Sequence, residues 1–179
     1  MLKITKMSDL IPQPKHNTKA QTFIAKRGAL VMKEISSIGL LTGKYNSKVG
    51  IDAFIFTVMK VAQIDRTRGI MVTVKTDNDG LQTCLIDEDE LPELVNGINY
   101  LDEKLRQLSH CVPTQIELAY LTKDDFMIGF VVKSDPNPNP SFFCSARGGE
   151  SAFVPAEQLP QLKALIEKGI DYLKSISAS

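Results

Sequence analysis

The sequence predicts an α+β fold in which one antiparallel sheet-plus-helix unit is used twice, ββββα-ββββα, with the two sheets packed against the helices that end each half. Three observations carry this. Two short strings recur in both halves of the 179-residue chain, each lies on an apolar periodicity of helical spacing, and β-rich runs joined by short turn signals precede each one. Leu91-Pro92-Glu93-Leu94 returns as Leu159-Pro160-Gln161-Leu162, 68 residues later, and Gly97-Ile98-Asn99-Tyr100-Leu101 returns as Gly169-Ile170-Asp171-Tyr172-Leu173, 72 residues later. The difference is about one helical turn, so both strings keep to the same helix face.

Taken in order, residues 1–25 read as a mobile basic arm, with Pro12, Pro14 and Asn17 and few large apolar side chains. Residues 26–179 read as a single duplicated domain, the first repeat about 26–110 and the second about 111–179. In the first repeat, residues 29–35, 54–62, 70–76 and 82–86 are predicted strands by their β-branched and aromatic content. Turn signals at 65–69 and 77–80 separate them. The first helix follows from Leu91, Leu94, Val95, Ile98, Leu101, Leu105 and Leu108. Asp87, Glu88, Asp89, Glu90 and Glu93 gather at its start, where the helix dipole favours negative charge. A metal site is the other reading of that cluster, and no histidine accompanies it. The second repeat supplies strands at 115–121, 126–133, 142–146 and 151–154. A helix follows, carrying Leu159, Leu162, Leu165, Ile166, Ile170, Leu173 and Ile176. Pro92 and Pro160 each fall in a first helical turn, where a missing N–H is harmless. Strand connections this short exclude crossover helices and therefore a parallel sheet.

Hydrophobic residues form 43% of the chain and charged residues 23%, enough to bury a core. No apolar run reaches membrane-spanning length, so no membrane partner is expected. Three scattered cysteines give no disulfide framework and suit a reducing compartment. The expected location is cytoplasmic, with an organelle or nucleoid left open. Neither a cofactor nor a metal is expected. The 21 basic and 21 acidic residues cancel, yet residues 1–50 hold nine basic residues against Asp9 and Glu34, while the remainder is acidic. Such polarity suits either an anionic partner or docking between copies.

Catalytic motifs fail on inspection, and no enzyme is expected. Gly39 to Lys44 has one residue too few between its glycines for a phosphate-binding loop, and Tyr45 stands where Ser or Thr is needed. His110-Cys111 reads as linker. Cys144 lies three residues before Arg147, a cation that lowers a thiol pKa when close, although a strand ending in a glycine turn explains the same residues.

Single-stranded nucleic acid is held by a cationic groove and by aromatics on which bases stack. Phe54, Phe56 and Lys60 share one strand face by the two-residue period, Arg66 and Arg68 follow at the next turn, and Lys75 lies on the strand after it. With Lys26, Arg27, Lys33, Lys44 and Lys48 these residues are the candidate basic surface. The competing reading places Phe54 and Phe56 in the core and leaves the cations as solvated positions.

The passage Val154-Pro155-Ala156-Glu157-Gln158-Leu159-Pro160-Gln161-Leu162-Lys163 resembles the strand-to-helix passage of the positive-cofactor-four transcriptional coactivators. The doubled unit is similar to the Whirly proteins, and Lys26-Arg27-Gly28-Ala29-Leu30 resembles in part their Lys-Gly-Lys-Ala-Ala-Leu element. The order of elements agrees over roughly 25–176. The resemblance implies a transcriptional regulator that binds single-stranded DNA or RNA, tolerant of sequence, acting as a homo-oligomer. The alternative is a scaffold module that self-associates through its basic N-terminal segment and acidic body.

Overall fold

β-branched and aromatic residues dominate positions 30–87, and in the computed structural model, which describes residues 18–60, 63–78, 80–108, 115–133 and 140–177, they form one antiparallel sheet. A short helix, α1 (Lys19–Ile24), comes first, followed by β1 (Leu30–Thr42), β2 (Lys48–Lys60), β3 (Gln63–Thr76) and β4 (Gly80–Asp87) in that spatial order. One 3-10 turn, Glu88–Glu90, leads into α2 (Leu91–Leu108). The second half repeats the plan with β5 (Gln115–Leu121), β6 (Phe126–Lys133), β7 (Ser141–Ala146) and β8 (Ala152–Pro155). A 3-10 turn, Ala156–Gln158, then leads into α3 (Leu159–Ser177). The predicted α+β duplication is therefore the fold.

Alternation gives the first sheet two faces. Its inner face carries Val49, Ile51, Ala53, Ile70, Val72, Val74, Cys84 and Ile86. These share one core with the buried faces of α2 and α3 and with Phe126, Ile128, Phe130 and Phe142 of the second sheet. The outer face buries Phe54, Phe56, Val58 and Leu85 beneath Ala20 and Phe23 of α1. β2 is thus buried on both sides over much of its length, which is why it reads as a nearly unbroken apolar run.

Each half's helix covers the other half's sheet. α3 lies across β1, β2 and β3, whereas α2 packs on β5 and β6. The duplicated glycine of the repeated string makes this close approach possible. A Cβ on Gly97 would lie 2.6 Å from the Tyr120 ring on β5, and one on Gly169 would lie 2.9 Å from Ile70 Cδ1 on β3.

The turns are exchanged in the same way. The β1–β2 turn docks on the edge strand β8, where Lys44 N donates to Phe153 O at 2.7 Å. The β5–β6 turn docks on the edge strand β4, where Leu85 N donates to Asp124 Oδ2 at 2.8 Å, and on the 3-10 turn after it, where Lys123 N donates to Glu90 Oε2 at 3.0 Å.

Two expectations are corrected. The expected arm does not extend to residue 25: Thr18 caps α1 in a reciprocal capping box with Gln21, and the Lys19 and Ala20 N–H groups donate to Asp87 at 2.6 and 3.0 Å. Residues 1–17 lie outside the described residues. The turn expected at 65–69 is the middle of β3, because Arg66 and Arg68 pair with Thr57 and Ile55 on a β2 that is longer than its sequence pattern suggests. β1 is longer too, carried on to Thr42 through a bulge between Ser37 and Gly39.

Candidate functional site

The register decides which expected cations share a surface. Lys48 and Lys75 stand directly opposite each other on the outer face of the first sheet, both exposed. Like charges in that position repel, and among the described residues neither is given an acidic partner. The adjoining row is Leu40, Gly50, Thr73 and Thr83. Gly50 opens its floor, and the two threonine hydroxyls lie 3.5 Å apart. Lys33 occupies the β1 end of the same face, with its Nζ 5.9 Å from the Phe56 ring centre. Lys60 belongs to this face by alternation with Phe56 and Val58. Lys26 borders it, 3.6 Å from Asp65 and 4.5 Å from the Phe23 ring centre, with exposed Arg27 adjacent. Half-buried Asp52 is the acidic side chain nearest the middle of the face.

The remaining expected residues fall elsewhere. Phe56 is 3% exposed and stacks on Phe54 at 4.5 Å beneath α1, so it is a core residue and no base can reach it. Lys44 turns toward the second half, donating to Ser141 Oγ at 2.7 Å. Arg66 and Arg68 point to the inner face. Arg68 donates to Glu88 Oε2 at 2.5 Å and to the Leu173 carbonyl at 3.3 Å. The expected continuous surface of ten residues is therefore divided: Lys48 and Lys75 pair at one end of the outer face, while Lys33 and Lys60 lie eight and twelve residues along β2 from Lys48, about 26 and 40 Å away, with α1 packed over the rows between.

One residue of interest escaped the sequence reading. Tyr45 sits at the tip of the β1–β2 turn, 83% exposed, with φ of 55°. A bulky residue in the left-handed region is uncommon and stores strain. The signal is the Lys44-Tyr45-Asn46 turn itself, whose residues fail as a phosphate loop.

The acidic cluster is occupied by the chain's own donors. Asp87 accepts from the start of α1, and Glu90 accepts from Asp87 N and Lys123 N while burial raises its carboxyl pKa. Asp89 bonds Lys19 Nζ at 2.9 Å, and that hydrogen bond lowers its carboxyl pKa. Among the described residues, no group of three or more His, Cys, Asp or Glu side chains could hold a metal. Cys144 is fully buried, and burial pushes its thiol pKa up. Arg147 instead reaches Asp124 at 3.1 Å, beside Cys84, whose thiol is raised by burial and by Asp124 to about 12. Arg147 is thus engaged in an ion pair with Asp124. Both histidines and Cys111 lie outside the described residues.

Among the described residues, no helix is long and apolar enough to cross a membrane. A scan against family models finds no match for the chain, and a search of curated proteins finds none.

Proposed function

We propose that the chain binds single-stranded nucleic acid, DNA or RNA, with little base preference, on the outer face of its first sheet. The observation that carries this reading is the opposed pair Lys48 and Lys75, two exposed ammonium groups with no acid between them on a floor of glycine and threonine. A phosphate set between them relieves their repulsion. Leu40 and Leu81 beside the pair, and Tyr45 at the turn, offer apolar and aromatic surface to unpaired bases.

The test is a fluorescence-anisotropy titration of the full chain with a labelled single-stranded oligonucleotide at low and moderate salt. Two lysine–phosphate contacts imply that log K falls with log salt at a slope of about −1.4. Lys48→Glu with Lys75→Glu abolishes binding, Lys104→Glu on α2 leaves it unchanged, and Tyr45→Ala weakens it about tenfold. Binding indifferent to salt, or retained in the double variant, overturns the reading.

A further inference from the structure

We infer that the nucleic-acid surface continues past Lys48 and Lys75, round the corner between the two sheets and onto β8, where Phe153 stacks a base and Lys44 holds the phosphate beside it. This rests on the reading of the outer face as a nucleic-acid surface, and it adds a subsite supplied by the second half of the chain. Alternation carries the outer side of β1 through Leu40 and Thr42 to Lys44, and Thr42 is the cross-strand neighbour of Lys48. Two residues of extended chain span about 6.6 Å, so Lys44 is the next cation along the track. Gly43 N donates to Ser47 O at 2.8 Å and Lys44 N to Phe153 O at 2.7 Å, which ties the hairpin end to the open edge of β8. A Cβ on Gly43 would lie 2.5 Å from that Phe153 oxygen, so glycine is what permits the approach. Lys44 Nζ then donates to Ser141 Oγ at 2.7 Å. Ser141 shares the outer face of β7 with Phe143, since Phe142 and Cys144 point into the core. The outer faces of the two sheets are therefore continuous at this corner.

The chemistry of the corner identifies the occupant. Phe153 lies directly across from Phe143 on the outer face, the two rings edge to face with centres 6.4 Å apart. Phe143 is 5% exposed and Phe153 43%, so a buried ring props an open one. Next to Lys44 in the chain stands Tyr45, whose exposed ring is kept on a left-handed backbone at the tip of the turn. Backbone strain of this kind clusters where ligands are held. Among the described residues half-buried Lys44 forms no ion pair, and its ammonium is held against a neutral hydroxyl. Glu150, the acid that precedes β8, accepts from Asn78 Nδ2 at 2.9 Å. An uncompensated cation with open aromatic rings beside it is matched by an anionic chain of flat bases. An apolar peptide would leave Lys44 without a counter-charge, and a bare anion would leave both rings uncovered.

The test uses the full chain and a single-stranded oligonucleotide carrying 5-iodouracil, a base that cross-links on irradiation to an aromatic ring stacked against it. Adducts are expected on Phe153 and Tyr45, located by digestion and mass spectrometry. In anisotropy titrations a third phosphate, on Lys44, steepens the slope of log K against log salt from about −1.4 to about −2.1, and Lys44→Gln returns it. Phe153→Leu keeps an apolar side chain against Phe143, and circular dichroism checks that it folds. It weakens binding about tenfold with the slope unchanged, and Phe153→Trp restores the affinity. A slope of about −1.4 in the parent chain, a Phe153→Leu variant that binds as tightly as the parent, or the absence of an adduct on Phe153 overturns the inference and leaves the site at Lys48 and Lys75. A parent chain that binds no oligonucleotide removes the reading of the outer face, and the inference with it.

Discussion

Gly97 and Gly169 hold the same place in the repeated string, yet they meet different neighbours. A methyl at Gly97 would strike the Tyr120 ring at Cδ2 and Cγ, 2.6 and 2.9 Å away. A ring moves only as a whole, so overpacking there costs about 1–3 kcal/mol. At Gly169 the nearest atom is Ile70 Cδ1, the free end of an aliphatic chain, at 2.9 Å. Replacing glycine by alanine inside a helix gains about 1 kcal/mol in either case. Gly97→Ala is therefore net destabilising, while Gly169→Ala is close to neutral, and urea denaturation of the two variants measures the difference. Equal midpoints would mean that the Tyr120 contact is not the tight one. The recurrence of these glycines was legible in the sequence. Their purpose was not, because a helix looks the same in sequence whichever sheet it lies on.

Among elements, the docked turns show how little sequence separates a loose connection from a structural joint. The Lys123-Asp124-Asp125 turn was legible from its residues, but its side chains do more than turn the chain. Buried Asp124 accepts from Leu85 N on β4 at 2.8 Å and from Arg147 Nη2 at 3.1 Å, and it also binds Gln21 Nε2 of α1. Asp124→Ala leaves those donors facing a void and costs about 2–4 kcal/mol. Asp124→Asn costs less, because its amide oxygen still accepts from Leu85. The Cys84 thiol, part of the same cluster, gives a second readout. It resists alkylation in the native protein and gains reactivity in Asp124→Ala as β4 loses its anchor. A thiol as protected in that variant as in the parent would show that the turn does not hold the strand. The strands of the second sheet were legible nearly to the residue, since polar turns bound each one. Those of the first were read short, because Arg66 and Arg68 occur in a strand whose inner face is partly open to solvent. α1 escaped because six residues show no periodicity, although Thr18 and Gln21 spell a capping box. The candidate site was legible as charge but not as surface. Which lysines lie together depends on register, and the burial of Phe56 depends on α1.

At the scale of the molecule, the exchange of helices makes two similar halves into one folding unit. Leu94, Ile98 and Leu101 of α2 are buried in the same core as Phe126, Ile128 and Phe130 of the second sheet, and Leu162 and Ile166 of α3 share it with Ile51 and Ile70 of the first. A half on its own would keep its sheet and lose the helix that covers it, exposing a whole apolar face. It would also have the size at which a single core is barely sufficient. Strand pairing and the repeated string would remain, but most of the hydrophobic stabilisation would go. A protease site inserted between residues 108 and 115 tests this directly. After cleavage the halves co-elute as one native particle in size-exclusion chromatography, and a denaturant series separates and unfolds them in one transition seen alike by circular dichroism and tyrosine fluorescence. Separation into two folded fragments without denaturant, or two resolved transitions, would mean that each half covers its own sheet.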